Sequence, residues 1–338
     1  MKITLLSFIV SAIMVAMTLT TPQAAFAADK LIIAHRGASG YLPEHTLAAK
    51  ALAHGMNPDY IEQDVVLTKD GVPVVLHDHY LDTVTDVATK FKARKRDDGR
   101  YYAIDFTLAE IKTLNAFERI DLKTGKQVFP NRFPSGQSAF TVPTLEEELK
   151  LIKGLNKSTG KRIGIYPEIK APAFHRGEGQ DISKIVLSVL KKHGYAGKDD
   201  PVYVQCFDWN ETQRIRLELE YQGKLIQLIA ENSWNESPNV DFDALRTKQM
   251  LVEVGKVVDG IGPWISHVID DDGAPTDLVG NAHAAGLALH PYTLRVDALP
   301  KWAKTHDEAI EAILFKAGAD GLFTDFPDLA VQYLKNRQ

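Results

Sequence analysis

The sequence predicts an α/β fold, a TIM (β/α)8 barrel with a long insertion after the second strand region. Short apolar strand patterns alternate with amphipathic helical patterns along the chain, and this alternation is typical of parallel strands joined by helical crossovers. Eight strand patterns are present, the number that closes such a sheet into a barrel. Histidine, arginine and carboxylate side chains end several of these strands, which is where barrel enzymes place their active sites.

The elements follow one another in a regular order of apolar strand, polar turn and amphipathic helix. The predicted strands span residues 31–34, 60–67, 163–168, 202–207, 225–229, 260–261, 288–292 and 321–324. The predicted helices span residues 46–54, 145–155, 182–193, 210–219, 276–285 and 307–317. We expect a single domain over residues 28–338, because a chain of about 300 residues buries enough surface for one large core.

Residues 80–143 interrupt this order. The segment is too long for a βα loop, which usually has about 2 to 6 residues, and it carries a basic run at 92–96, several aromatic residues and turn-forming prolines. A solvated excursion is the simpler interpretation. Because the segment leaves directly after His77, on the face where active sites form, we predict that it caps the mouth of the barrel.

The N-terminal residues predict export. Lys2 precedes an uncharged, mainly apolar stretch over residues 3–20 and an Ala-x-Ala signal at 25–27, which is the layout of a secretory signal peptide. We therefore predict a signal peptide over residues 1–27 and no membrane anchor after cleavage. A retained anchor is the alternative, but the cleavage signal and the lack of a cytoplasmic basic cluster disfavour it.

Charge and cysteine content exclude other classes of protein. The formal net charge at pH 7 is −5, and nucleic acid binding needs concentrated Lys and Arg that a mildly acidic chain lacks. Cys206 is the sole cysteine, so no intramolecular disulfide can form even in the oxidising compartment that an exported chain meets. Cys206 is better interpreted as a small buried residue than as a nucleophile.

Three carboxylates are predicted to share one interior site. Glu62 and Asp64 lie two residues apart in the second strand and therefore point to the same face, and Glu168 ends the third strand. Burying unpaired acids is costly, and a hard divalent ion bound by oxygen ligands would resolve this conflict. Calcium is the first choice and magnesium the alternative. For a lone Glu-x-Asp pair, ion pairs with lysines on an exposed strand edge would be the simpler interpretation.

Two histidines and two cationic side chains complete the candidate site. His35 and His77 each end an apolar run, and a pair of histidines can take and give protons near neutral pH. Arg36 offers a planar fork that matches phosphate oxygens, and Lys170 adds a second positive charge. These two side chains could also neutralise the acids as a salt-bridge network, and the two roles are compatible. The set predicts phosphate ester cleavage. Four other histidines receive no catalytic role: His45, His79, His175 and His290.

These residues lie in motifs that resemble those of a known family, the glycerophosphodiester phosphodiesterases. The matching segments follow in order along almost the whole predicted mature chain: His35-Arg36-Gly37, Pro43-Glu44-His45-Thr46, Glu62-Gln63-Asp64-Val65, His77-Asp78, Glu168-Ile169-Lys170 and Phe323-Thr324-Asp325-Phe326-Pro327. The long insertion and the segments 164–168, 205–208 and 290–293 resemble the exported bacterial members in particular.

The resemblance implies a TIM barrel that hydrolyses small-molecule glycerophosphodiesters, such as glycerophosphocholine and glycerophosphoethanolamine, to sn-glycerol 3-phosphate and an alcohol. It also implies residue roles: His35 and His77 as the acid and base, Glu62, Asp64 and Glu168 as ligands of one divalent metal ion, and Arg36 and Lys170 as phosphate contacts. The exported branch makes the periplasm the expected compartment, with secretion to the medium as the alternative. Phe207, Trp264 and Tyr292 lie at predicted strand ends, and we keep Phe207 and Tyr292 as candidate contacts to the glycerol carbons.

Two positions depart from the pattern common in the family. Many members have Asn where this chain has His45, although the exported branch shares the histidine. Many members also carry Arg a few residues after the second histidine, where this chain has Asp82-Thr83. The early part of the insertion is therefore not assigned a substrate contact.

Two other functions fit parts of the sequence. A phospholipase acting on membrane lipids would use an exposed apolar rim, which the charged, polar insertion argues against. An exported solute-binding protein would capture glycerophosphodiesters without cutting them, but it has no use for two histidines beside a metal site. The sequence leaves open whether the protein forms a homodimer.

Overall fold

Nine strands are found in the computed structural model, which describes residues 30–337. They are β1 (Leu31–Ala34), β2 (Tyr60–Leu67), β3 (Pro73–Val75), β4 (Gly164–Ile169), β5 (Tyr203–Cys206), β6 (Lys224–Ile229), β7 (Gly260–Pro263), β8 (Ala288–Leu289) and β9 (Gly321–Thr324). Eight of them are parallel in the order β8-β7-β6-β5-β4-β2-β1-β9, and β3 pairs antiparallel with β2. This order confirms the predicted parallel sheet. The predicted signal peptide, residues 1–27, lies outside the described residues.

The two ends of this strand order meet and close the barrel. The Asp320 amide donates to the Leu289 carbonyl at 2.9 Å, and the Phe323 amide donates to the Pro291 carbonyl at 3.0 Å. β9 also pairs with β1 over its full length. The predicted strand 288–292 therefore runs beside β9, although the regular strand β8 is shorter than predicted.

The α-helices cover the outside of the barrel. Within the described residues they are α1 (Leu47–Met56), α2 (Val87–Lys90), α3 (Leu108–Ile111), α4 (Leu145–Thr159), α5 (Pro172–Gly177), α6 (Ile182–Lys192), α7 (Trp209–Leu217), α8 (Phe242–Leu245), α9 (Lys248–Val254), α10 (Leu278–Ala284), α11 (His306–Ile310) and α12 (Pro327–Arg337). The predicted helix 307–317 is α11 followed by a π-helical segment, Glu311–Lys316. The sequence did not predict the short helices α2, α3, α5 and α8, nor the longer α9 and α12. No helix between residues 30 and 337 combines the length and apolar character needed to cross a membrane.

Each long helix turns its apolar stripe towards the sheet. α4 begins after Thr144, whose side chain accepts a hydrogen bond from the Glu147 amide while the Glu147 carboxylate accepts from the Thr144 amide, a capping box. One face of this helix then buries Leu149 and Ile152 completely. A fully buried aliphatic side chain contributes about 1.5 to 3 kcal/mol, so this face holds α4 against the barrel.

The turn after β1 is shaped by Gly37. Its φ is +89°, and a Cβ at this position would lie 2.9 Å from the backbone of Ala49 in α1, so only glycine fits without strain. Arg36, just before it, has a φ of 58°, and its amide donates to Glu62 Oε2 at 2.5 Å. The turn thereby joins the end of β1 to the acidic side chains of β2.

The insertion, residues 80–143, packs its own apolar side chains onto β2 and β3. Its charges are largely paired within the fold: Arg94 Nη1 lies 2.7 Å from Glu110 Oε1, and Arg96 Nη2 lies 2.7 Å from Asp105 Oδ1. Arg100 donates two hydrogen bonds of 2.8 Å to the buried Asp82 carboxylate. Asp82 therefore has a structural ion pair within the insertion. The buried apolar members of this layer are Val66, Val74, Leu76, Leu81, Val84, Val87, Tyr101, Ala103, Phe106, Ile111, Leu114 and Val142.

Candidate active site

A cavity of about 220 Å³ lies at the carboxyl ends of the barrel strands. Its walls come from the ends of β1, β2, β4, β5, β6 and β9 and from the loops that follow strands. Eight of the nine predicted site residues line it: His35, Arg36, Glu62, Asp64, His77, Glu168, Phe207 and Tyr292. The fold therefore brings together residues that are up to about 260 positions apart in the sequence, as a barrel does at this face.

His35 forms a buried pair with Asp325. The two residues directly follow β1 and β9, and the pairing of these strands places them side by side. His35 Nδ1 lies 2.6 Å from Asp325 Oδ1. Because the carboxylate accepts the Nδ1 proton, Nε2 is left as the proton-accepting nitrogen of the neutral ring. Burial, together with the charge of Arg36, lowers the pKa of His35 to about 4.

His77 forms the same kind of pair with Asp78. Its Nδ1 lies 2.7 Å from Asp78 Oδ1, which again leaves Nε2 as the proton-accepting nitrogen. Burial lowers the pKa of His77, and the charges of Arg36 and Lys170 add to this effect. The side chain of His77 is 28% exposed, against 9% for His35, so His77 is the more accessible ring of the two.

Strand register explains why the three acids meet. Glu62 and Asp64 lie on one face of β2, and Asp64 is directly opposite Glu168 in the ladder between β2 and β4. All three side chains are buried. Burial raises the pKa of Glu62 and of Glu168 well above the ordinary value, and the charge of Asp64 raises both further. A nearby cation would let these acids ionise together.

The donor atoms present fit a hard divalent ion. Asp64 Oδ1 is buried and has no hydrogen-bond partner among the described residues. Single ligand atoms of His45, Glu62 and Asp64 lie within 4.8 Å of one another, and carboxylate oxygens are the ligands that Ca²⁺ and Mg²⁺ prefer. The structure therefore groups His45, Glu62 and Asp64 as candidate ligands. The sequence predicts Glu62, Asp64 and Glu168 instead. The Glu168 carboxylate lies nearby in the cavity, but its Oε1 is 2.8 Å from Lys170 Nζ.

His45, which received no role from the sequence, holds Asp64 in place. Its Nε2 lies 2.7 Å from Asp64 Oδ2, and its Nδ1 lies 3.1 Å from Lys50 Nζ. All three side chains are buried. Because an ammonium group only donates, Nδ1 accepts and Nε2 donates its proton to Asp64. A protonated ring nitrogen is not a metal ligand, so in this structure His45 orients the candidate ligand Asp64.

Arg36 presents an unsatisfied donor at the cavity. Its Nη1 donates to Glu44 Oε2 at 3.0 Å, and its Nε, 3.6 Å from Asp64 Oδ2, is buried without a hydrogen-bond partner in the described chain. A buried unpaired donor is costly. A phosphate oxygen in the cavity would satisfy it with a charge-assisted hydrogen bond.

Lys170 is the predicted site residue that does not line this cavity. Its ammonium lies between two carboxylates, 2.8 Å from Glu168 and 3.0 Å from Glu236. The side chain is buried. A phosphate contact by Lys170 requires one of these pairs to open, so that role stays a prediction.

Aromatic rings form one wall of the cavity. Phe207 and Tyr292 line it with ring centroids 5.9 Å apart at right angles. The Tyr292 hydroxyl donates to the Ile229 carbonyl at 2.9 Å, so the ring rather than the hydroxyl is available to a ligand. Trp264, which the sequence placed at a strand end, and Trp234, which it did not single out, extend this wall.

Several residues that support the site were missed by sequence reasoning. Asp325, Asp78 and Glu44 lie within the quoted motifs, so their positions carried a signal that was not used. Arg295 lies in none of the motifs, yet its Nε donates to Asp325 Oδ2 at 2.8 Å. Cys206 is completely buried, in agreement with the expectation.

Comparisons with known proteins agree with this geometry. A glycerophosphodiester phosphodiesterase of Haemophilus influenzae is 50% identical to the chain, with 91% of this chain and 90% of that protein covered. Two solved structures have the same fold. One, from Silicibacter pomeroyi, has a TM-score of 0.70 at 23% identity and covers 92% of this chain and 94% of its own. The other is an Oleispira antarctica phosphodiesterase in complex with the product sn-glycerol-3-phosphate, with a TM-score of 0.60 at 22% identity and coverage of 91% and 97%.

These structural neighbours confirm the TIM barrel, and the sequence matches extend over most of the chain. A model of the Glycerophosphoryl diester phosphodiesterase family matches residues 35–329, a range that contains every predicted site residue. The chain therefore belongs to the Glycerophosphoryl diester phosphodiesterase family and is an enzyme of that class.

Proposed function

We propose that this enzyme hydrolyses glycerophosphodiesters such as glycerophosphocholine and glycerophosphoethanolamine to sn-glycerol 3-phosphate and an alcohol, with one divalent metal ion bound. The main support is one cavity lined by two aspartate-paired histidines, three buried acids and the free Nε of Arg36. The bound product of the Oleispira antarctica phosphodiesterase supports sn-glycerol 3-phosphate as the product here. Calcium is the proposed ion and magnesium the alternative, since both prefer oxygen ligands.

Each group at the cavity has a proposed part in the reaction. Glu62, Asp64 and Glu168 hold the metal ion, which when bound supplies positive charge against the charge that develops on the phosphoryl oxygens. Arg36 donates to those oxygens through Nε. The two histidines use Nε2: the neutral one takes a proton from the attacking oxygen, and the other, protonated on both nitrogens before the step, gives its Nε2 proton to the leaving alkoxide. The faces of Phe207 and Tyr292 pack on the glycerol carbons. Lys170 is proposed as a second phosphate contact beside Arg36.

Glycerol 3-phosphate release from glycerophosphocholine tests this function. We expect release by the purified enzyme, loss of release after treatment with a chelator, and recovery when calcium or magnesium is added. A protein that binds glycerophosphocholine and releases nothing with either ion would support the solute-binding alternative instead. Full activity in excess chelator would contradict the metal requirement.

We further propose that the hydroxyl at C2 of the glycerol group attacks the phosphorus first. A new P–O bond forms while one histidine takes the hydroxyl proton, and the P–O bond to the alcohol breaks while the other histidine protonates the alcohol. Water then opens the cyclic phosphate with the two histidines in reversed roles, the second taking a proton from water and the first returning its proton to the C2 oxygen. An analogue that lacks the C2 hydroxyl should be turned over at least ~100-fold more slowly, because it has no positioned intramolecular nucleophile. The analogue that lacks only the C1 hydroxyl is the matched control and should still react. Equal turnover of both analogues would contradict the cyclic route.

We also propose that the protein is exported to the periplasm without residues 1–27. The N-terminal sequence supports this compartment, with the basic, apolar and small-residue regions of a signal peptide. Intact mass measured on protein recovered from the periplasmic fraction should correspond to a chain that begins at Ala28. Recovery of the uncleaved chain in the membrane fraction would support the anchor instead.

A further inference from the structure

Both aspartate–histidine pairs are contacted by an arginine of the insertion. Arg119 reaches Asp78, the partner of His77, and Arg132 reaches Asp325, the partner of His35. We propose that Arg119 and Arg132 are positioning residues that hold the two histidines in their reactive orientation. This inference rests on the proposed function, because it gives the insertion a part in the same reaction.

Arg119 fills the space between two acidic residues. Its Nη1 donates to Asp78 Oδ2 at 2.6 Å, its Nη2 donates to Glu44 Oε1 at 2.6 Å, and its Nε donates to Glu44 Oε2 at 3.1 Å. The other oxygen of Asp78, Oδ1, holds His77 Nδ1. Because Arg119 binds Oδ2, the Asp78 carboxylate cannot rotate freely. The position of Oδ1 is then fixed, and its hydrogen bond fixes the orientation of the His77 ring.

The ionised state of Asp78 depends on the same contact. Burial alone would raise the pKa of Asp78, but the charges of His77 and Arg119 hold it well below its ordinary value. An ionised Asp78 accepts the Nδ1 proton of His77 and so keeps the ring in the tautomer that leaves Nε2 free. Arg119 therefore favours both the orientation and the tautomer of His77.

Glu44 extends this network to the proposed phosphate contact. Its Oε2 accepts from Arg36 Nη1 at 3.0 Å as well as from Arg119 Nε. The side chains of Glu44, Arg36 and Arg119 are 10%, 13% and 18% exposed, so solvent does not compete strongly for these hydrogen bonds. A continuous line of charge-assisted hydrogen bonds thus joins His77, Asp78, Arg119, Glu44 and Arg36.

Arg132 supports the second histidine in a similar way. Its Nη2 donates to Asp325 Oδ2 at 2.8 Å, and its Nη1 donates to the Ser39 carbonyl at 3.2 Å. A bidentate contact to Asp297, at 2.8 and 3.0 Å, fixes the guanidinium from its other side. Arg295 also donates to Asp325 Oδ2, so Asp325 keeps one cationic partner when Arg132 is removed. We therefore expect a smaller effect at Arg132 than at Arg119.

The backbone around Arg119 is held in place by hydrogen bonds. The Ile120 amide donates to the Thr83 carbonyl, the Phe117 amide donates to the Val84 carbonyl, and the Val128 amide donates to the Arg119 carbonyl, each at 2.9 Å. Arg119 thus extends from a paired segment, and the insertion is built to deliver a fixed guanidinium to the edge of the site.

A double-mutant cycle tests whether Arg119 acts through His77. Arg119→Gln should lower kcat for glycerophosphocholine about 10- to 100-fold with KM changed less than about threefold, because small displacements of a reacting group cost this much. In a His77→Ala background the same substitution should change kcat less than about threefold, since the group that it positions is gone. Arg119→Lys, which keeps the charge but not the fork, should recover part of the loss.

Arg94→Gln is the matched control, because Arg94 lies in the same insertion and pairs with Glu110, away from both histidines. It should leave kcat within about threefold of the wild type. Should Arg119→Gln not fold, Arg119→Lys replaces it in the same cycle, because it keeps the charge and loses the fork that contacts both Asp78 and Glu44. Arg132→Gln should lower kcat less than about tenfold, and Arg132→Gln combined with Arg295→Gln should lower kcat by more than the product of the two single losses.

Two outcomes overturn the positioning role: an Arg119→Gln enzyme with wild-type kcat, or an equal loss in the wild-type and His77→Ala backgrounds. Either result, obtained while the wild type releases glycerol 3-phosphate, leaves the proposed function intact. A wild type that releases none contradicts the proposed function itself. Failure of the positioning role and failure of the proposed function therefore give different experimental results.

Discussion

Replacing His77 by alanine is expected to lower kcat/KM for glycerophosphocholine about 10²- to 10⁴-fold, the usual contribution of a positioned acid or base. The reason is geometric, because Asp78 holds Nδ1 and leaves Nε2 to exchange the proton. Replacing His35, held by Asp325, should have an effect of the same order. The fold should survive both changes, since each side chain borders a cavity and its loss creates little new buried void.

His283→Ala is the matched control. His283 also forms a histidine–aspartate pair, 2.9 Å from Asp320 Oδ2, but Asp320 precedes β9 and so lies at the opposite end of the barrel. This variant should keep kcat/KM within about threefold of the wild type, as surface substitutions usually have small effects. Thermal unfolding of all three variants checks the fold. A His77→Ala enzyme that keeps more than a tenth of wild-type kcat/KM would contradict the role.

A substrate with p-nitrophenol as the leaving group separates the acid from the base. This alcohol leaves without protonation, so the variant that lacks the general acid should recover most of its activity with it. The variant that lacks the base should not. Recovery with His77→Ala alone would make His77 the acid, and recovery with His35→Ala alone would make His35 the acid.

Replacing Glu62 by glutamine should abolish tight binding of the divalent ion while leaving the ion-free fold as stable as the wild type or more so. Burial raises the pKa of Glu62, and Asp64 raises it further. An acid whose pKa is higher in the folded state weakens the fold as pH rises above its unfolded pKa of about 4.3. At pH 7 a neutral glutamine removes this cost, and its oxygen can still accept from the Arg36 amide.

The measurement is thermal unfolding with and without calcium, together with calorimetric titration of the ion. At 100 times the dissociation constant, bound calcium should add about 2.7 kcal/mol to the free energy of unfolding of the wild type, and close to nothing for Glu62→Gln. Asp70→Asn, at an exposed acid in the turn after β2, should behave as the wild type does. Equal calcium affinity of Glu62→Gln and the wild type would exclude Glu62 as a ligand.

Local patterns were sufficient for the barrel strands and for most of the site. An apolar run of four to eight residues bounded by turn residues is consistent with a buried strand, and period two along β2 places Glu62 and Asp64 on one face. The helices α9 and α12 were missed. α9 has only seven residues, a length over which helical periodicity is hard to recognise. α12 begins at Pro327, and its buried residues are Pro327 and Ala330, so it carries little of the apolar stripe that marks a helix.

Lys170 is paired with two carboxylates and does not line the cavity. The sequence predicts that Lys170 points to the same side as Glu168, and this proximity lets the two side chains pair at 2.8 Å. The second partner, Glu236, lies 66 residues further on and carries no local signal. The partners of a charged group thus decide whether it is available to a substrate, and sequence periodicity does not identify them.

The sequence by itself determined the closed barrel of eight parallel strands and the family motifs whose histidines, acids and arginine line one cavity. Only the tertiary structure decided which atom each of those groups contacts: Asp325 on His35 Nδ1, His45 on Asp64, and Arg119 and Arg132 behind the two aspartates. The physical reason is distance along the chain. Strand patterns depend on near neighbours, whereas His35 and Asp325 are 290 residues apart and meet because β9 closes the barrel against β1.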